Sequence, residues 1–103
     1  MNKEQDLLER ATNEKDLIRS VLFEDYAPDW IFVRELSEYL VGIDPSLTGH
    51  LLLARALRHL GDRENAVRQL ELCRVLIANQ PTLGAEVVLL PVVETETLLL
   101  RES

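Results

Sequence analysis

The sequence predicts an all-helical domain, and three observations carry that expectation. Residues 47–60 and 63–79 each carry an apolar stripe at helical spacing, Gly61-Asp62 breaks the chain between them, and residues 2–23 and 29–42 repeat the same kind of stripe. At 103 residues the chain is one domain, large enough for a core but marginal in the area it can bury.

The first helix is expected over about 2–23, with Leu7, Ala11, Ile18 and Leu22 on one side and Glu14 interrupting the stripe. Its many mixed charges read as a solvated face with i, i+4 pairs, each contributing a few tenths of a kcal/mol. Residues 24–29 form a turn, and Pro28 suits a position at the next helix start. The second helix, about 29–42, brings Phe32, Leu36, Tyr39 and Leu40 onto one face, with Trp30 off that face. Trp30 is then either a lid over the gap between the first two helices or an exposed anchor for a partner.

Gly42 and Asp44-Pro45 end that helix. The third, about 47–60, places His50, Leu53, Ala54, Leu57 and Leu60 on one side. Gly61 stands where a helix ends in a left-handed residue, and Asp62 then caps a fourth helix over about 63–79, whose stripe is Ala66, Leu70, Cys73 and Ile77. Ala54 and Ala66 are the small residues of the facing stripes, so the two helices can approach closely as an antiparallel hairpin. Thr82 is the expected cap of a fifth helix over about 82–90. Pro91 has no amide hydrogen to donate, so the chain is expected to kink or restart there, with residues 92–101 either a short sixth helix or an extended tail.

Ala54, the turn Gly61-Asp62, Ala66, then Leu70 and Cys73, with Pro81 closing, resembles one tetratricopeptide repeat over about a third of the chain. Leu57 stands where that family usually has an aromatic, and Pro81 falls late, which implies a longer second helix. The resemblance implies five to six helices arranged as antiparallel hairpins in a short right-handed solenoid. It also implies a non-enzymatic interaction module of adaptor, co-chaperone or scaffold type, with the outer face of the third helix lining a peptide groove.

The residues themselves show which side chains share that face. Thr48, Leu51, Arg55, Arg58 and His59 lie opposite the His50–Leu57 stripe at helical spacing. Together with Trp30 they are the candidate binding residues. Two guanidiniums on one face can clamp a carboxylate, a task suited to arginine's planar fork. The competing reading is a solvated face, in which Arg58 pairs with Asp62, Arg68 with Glu64 and Arg74 with Glu71. Arg55 has no acid at i±3 or i±4, which makes it the most suggestive of the set.

Charge supports the same focus. The chain carries a net −7, yet residues 50–74 hold five arginines against three acids, and the remainder is net −9. An acidic protein of this kind is not expected to bind nucleic acid, which needs a basic face to release counterions. The polar opening residues and the lack of a run of 18 apolar residues predict no signal peptide and no membrane span. One cysteine excludes an internal disulfide and fits a reducing cytoplasm; Cys73, on the buried stripe, reads as a core residue.

Catalytic or metal chemistry finds little footing in these residues. His50 and His59 do not share a face, further zinc ligands are missing, and the four glycines are scattered at helix ends rather than gathered in a phosphate loop. No catalytic residue, metal or cofactor is therefore expected. The leading expectation is a cytoplasmic module that holds a peptide or acidic segment of a partner protein on the Arg55–Arg58 face. The alternative is a homodimer formed through residues 83–100, where eleven of eighteen positions are Leu, Val or Ala.

Overall fold

The computed structural model describes residues 5–6, 9–10, 16–79 and 85–102, with the side chains of 85–87 excepted. Every regular element among them is helical: α1 (Leu17–Arg19) continuing into a π-turn (Ser20–Glu24), α2 (Trp30–Ile43), α3 (Leu47–His59), α4 (Arg63–Asn79) and α5 (Ala85–Glu102). The radius of gyration is 13.2 Å, close to the ~13 Å of a compact 100-residue domain.

α3 is the hub. It packs against α2, α4, α5 and the π-turn, and every residue from Gly49 to Leu57 is buried. The sequence reading left one face of this helix open; instead Leu51 is fully buried and Arg55 nearly so. An 18-residue helix returning across that face accounts for the difference.

Local chemistry explains most of the helix ends. Asp29 caps α2 by accepting from the amides of Ile31 and Phe32, and Ser46 caps α3 by accepting from Gly49. At the far end of α3, Asp62 N–H donates to Leu57 O at 2.8 Å and Gly61 N–H to Arg58 O at 3.1 Å. That pair of bonds, with Gly61 at φ 86°, is the Schellman closure that glycine makes without steric cost. The turn reverses the chain, and His50 Nδ1 donates to Gln69 Oε1 at 2.7 Å across the hairpin. With Leu57 bonded to Asp62 and His50 to Gln69, the antiparallel register sets Ala54 opposite Asn65-Ala66; both alanines are fully buried.

Two elements depart from the sequence reading. In the first segment residues 5–6 and 9–10 are helical, but the described helix closes in a π-turn, with the Asp25 amide donating to Ser20 O and Asp25 left-handed at φ 54°. The wider turn moves the buried stripe to Leu17, Val21 and Leu22 and leaves Ile18 exposed. The expected Leu7, Ala11 and Glu14 lie outside the described residues. Arg10 anchors this segment to α2, its guanidinium 4.0 Å over the Phe32 ring and 3.4 Å from Asp29.

The second departure is Pro91. It sits inside α5, which runs unbroken from Ala85 to Glu102, so residues 92–101 are neither a separate helix nor an extended tail. Proline forfeits one backbone bond, whereas continuing the helix keeps Leu89, Val92, Val93, Glu96 and Leu100 on one buried face. The expected cap Thr82 lies outside the described residues.

Candidate functional site

The residues singled out on α3 do converge, and they converge on the protein's own carboxylates. Arg55 Nη1 lies 2.8 Å from Asp25 Oδ1 and 3.3 Å from Glu96 Oε1. Arg58 donates through Nε to Glu96 Oε2 at 2.5 Å and through Nη2 to Asp25 Oδ2. His59 Nε2 is 2.9 Å from Asp25 Oδ1, and the Trp30 indole stacks on the His59 ring with centroids 3.8 Å apart and planes 7° from parallel. Trp30 is half-buried, packs against the core and stacks from α2 on the histidine at the edge of the ionic cluster.

Exposure falls steadily into the cluster. The side chains of Asp25, Arg58, Arg55 and Glu96 are 27, 14, 4 and 0% exposed. Two cations and two anions make a neutral set, which makes burial tolerable. Removing any one of them leaves an uncompensated charge away from water. The deepest contact is the least well made: among the described residues Arg55 Nε, Arg55 Nη1 and Glu96 Oε1 have no aligned hydrogen bond, so the Arg55–Glu96 contact rests on charge alone.

Burial pushes the Asp25 carboxyl up, but the hydrogen bonds from Arg58 and His59 and the guanidinium of Arg55 outweigh it and hold the group below the ordinary aspartate range. Burial likewise disfavours charge on Arg58, and the carboxylates of Glu96 and Asp25 more than restore it.

Two expected members stand apart. Leu51 is core. Thr48, half-buried in the first turn of α3, is about 10 Å up the helix from Arg55 by the rise per residue. The expected surface pairs also rearrange. Arg68 meets Glu64 at 3.3 Å, but Arg58 leaves Asp62 for the cluster, and Arg74 donates to Thr97 at 2.5 Å.

Sequence reasoning missed Asp25 and Glu96. Glu96 did carry a signal, since it falls on the stripe Leu89, Val93, Leu100 where an apolar residue belongs. Asp25 carried none, because its place depends on the π-turn.

Cys73 is buried and unpaired. Burial pushes its thiol up to about 12, so it stays protonated at neutral pH. Among the described residues no group of three or more His, Cys, Asp or Glu could hold a metal ion, and no helix is long and apolar enough to cross a membrane.

With the arginine face closed, a recess lies on the other side of α3. A cleft of about 470 Å³ has Leu53 and Leu57 as its floor, Arg34 and Glu38 of α2 as one wall, and Asp62, Asn65 and Gln69 as the other. Comparison of the chain with protein-family models, with curated proteins and with solved structures gives no match.

Proposed function

We propose that the chain is a non-enzymatic protein-interaction module of the tetratricopeptide type, an adaptor or scaffold that receives an extended polypeptide in the cleft between α2 and α4. The observation that carries this reading is the pair of carboxamides on one wall. Asn65 and Gln69 are one helical turn apart and both line the cleft. Gln69 commits its oxygen to His50, leaving its NH₂ to donate, and Asn65 commits an N–H to Asp62, leaving its oxygen to accept. A donor and an acceptor so spaced match the alternating C=O and N–H groups of an extended backbone. The walls hold Arg34 against Glu38 and Asp62, so the cleft favours a neutral or basic segment over the acidic one suggested by the arginines. Arg55 and Arg58 are then the internal brace of this module, with Asp25 and Glu96 in the role first assigned to a partner.

Selection from a random peptide library, followed by amide-shift mapping, tests the proposal. Selected peptides should shift Arg34, Glu38, Asn65 and Gln69 and lose binding to an Asn65→Ala/Gln69→Ala variant. Shifts elsewhere, or undiminished binding to that variant, overturn it.

The second reading is a structural homodimer. It is favoured by Val88, Leu90 and Leu98 on α5, which remain 42–56% exposed. Sedimentation at micromolar concentration separates the two: a species at the 11.8 kDa monomer mass removes the dimer.

A further inference from the structure

A second cavity, of about 220 Å³, opens where α4 and α5 lean together, and its chemistry differs from that of the cleft. Its floor is apolar: Val67 and Leu70 from α4 and Leu100 from α5. Around that floor stand Arg63, Arg74 and Arg101, with Glu71 the one acid in the lining. Three cations against one anion is an unusual local balance in a chain of net charge −7.

The arginines are not idle surface charges. Arg63 donates through Nε to the Leu100 carbonyl at 2.9 Å, which fixes its stem and leaves both terminal nitrogens for another acceptor. Arg74 uses one terminal nitrogen on Thr97 Oγ1, and that hydroxyl donates in turn to Val93 O at 2.8 Å. The Arg101 side chain has neither an ion pair nor a hydrogen bond among the described residues. Two guanidiniums are therefore braced across the helix seam and a third is uncommitted, all around an apolar hollow.

We propose that this cavity binds a short aliphatic carboxylate, the hydrocarbon lying on Val67, Leu70 and Leu100 and the carboxylate meeting the arginines. The volume limits the ligand, since 220 Å³ is the share of roughly seven water molecules in the liquid. A free acid of about six carbons fits that limit, and so does a terminal leucine of a polypeptide. Long-chain acids exceed it. The charge selects an anion, and the floor selects a hydrocarbon over a phosphate or sugar.

The test is a titration of the intact protein with hexanoate, followed by methyl shifts of Val67, Leu70 and Leu100, with hexanol as the uncharged control. Hexanoate should shift those methyls in a saturable way, about tenfold tighter than hexanol, and Arg101→Ala should weaken it about fivefold or more. The Arg101 side chain is exposed and has no ion pair or hydrogen bond among the described residues, so that variant stays folded; Arg68→Ala, outside the cavity, should leave binding unchanged. A tripeptide ending in leucine and its C-terminal amide form the second arm. The free-acid peptide should bind and the amide fail, and the tighter of peptide and hexanoate identifies the natural source. No methyl shift up to roughly 10 mM hexanoate, equal binding of hexanol, or indifference to Arg101→Ala overturns the proposal.

Discussion

Glu96 is the single residue on which the interior is most exposed to error. It is fully buried and faces two arginines. Glu96→Leu, which removes the charge and keeps the volume, should destabilise by about 3–5 kcal/mol because Arg55 is then buried with half its compensation gone. Adding Arg55→Met should recover most of that loss, since replacing both members of a buried pair by apolar groups is near neutral. Urea midpoints of the single and double variants decide the matter; additive losses would mean that the pair is not coupled. Asp25 sets the acid limit. Its native pKa is depressed, so its contribution is complete above the unfolded value of about 3.9 and is lost as pH falls through the lower native value. Stability measured from pH 6 downward should therefore drop below about pH 4, and Asp25→Asn should flatten that limb. At this scale the sequence was half readable. Arg55 stood out for want of a neighbouring acid, but nothing local reveals that its partners lie on a distant turn and a distant helix.

The helices show where local rules decide and where they yield. Gly61 is left-handed, and nothing lies within 4 Å of the position a Cβ would take. The cost of Gly61→Val is therefore backbone strain alone, expected to be about 1 kcal/mol or more and read as a fall in melting temperature. A variant that melts like wild type contradicts the Schellman closure. Pro91 gives the opposite lesson. A proline inside a helix costs about 3 kcal/mol relative to alanine, yet α5 passes through it. Pro91→Ala should stabilise the protein by on the order of 2 kcal/mol by restoring the missing amide. Destabilisation on that change would mean that the helix is not continuous there. The hairpin was legible because caps, the glycine and the small residues act within a few positions of one another. The run of α5 was not, because the burial that overrules Pro91 is supplied by α3 and α4. The π-turn was illegible because the buried Leu17 and Val21 keep the i, i+4 spacing of an ordinary helix, so nothing in the pattern marks the wider turn.

For the molecule as a whole, α3 and α5 are interdependent. α5 supplies Leu89, Val92, Val93 and Leu100 to the core and Glu96 to the arginines. A chain lacking residues 85–103 should lose its cooperative thermal transition, which near-ultraviolet dichroism reads directly; a retained sharp transition would show that the central hairpin folds without its cover. All-helical architecture was readable because it sums many local preferences. Which face stayed open was not, since that depends on where the last helix returns, and the outcome moved the candidate groove from the arginine side of α3 to the Leu53–Leu57 side.

The shared charges of Asp25, Arg55, Arg58 and Glu96 also constrain how this protein can change by descent. Each cation serves both anions, so losing any one of the four strands the others, and a lineage can tolerate the loss only by shedding or reversing the opposing sign as well. Relatives should therefore inherit the quartet together or show it replaced as a block, with Trp30 free to drift once the histidine it rests on has gone.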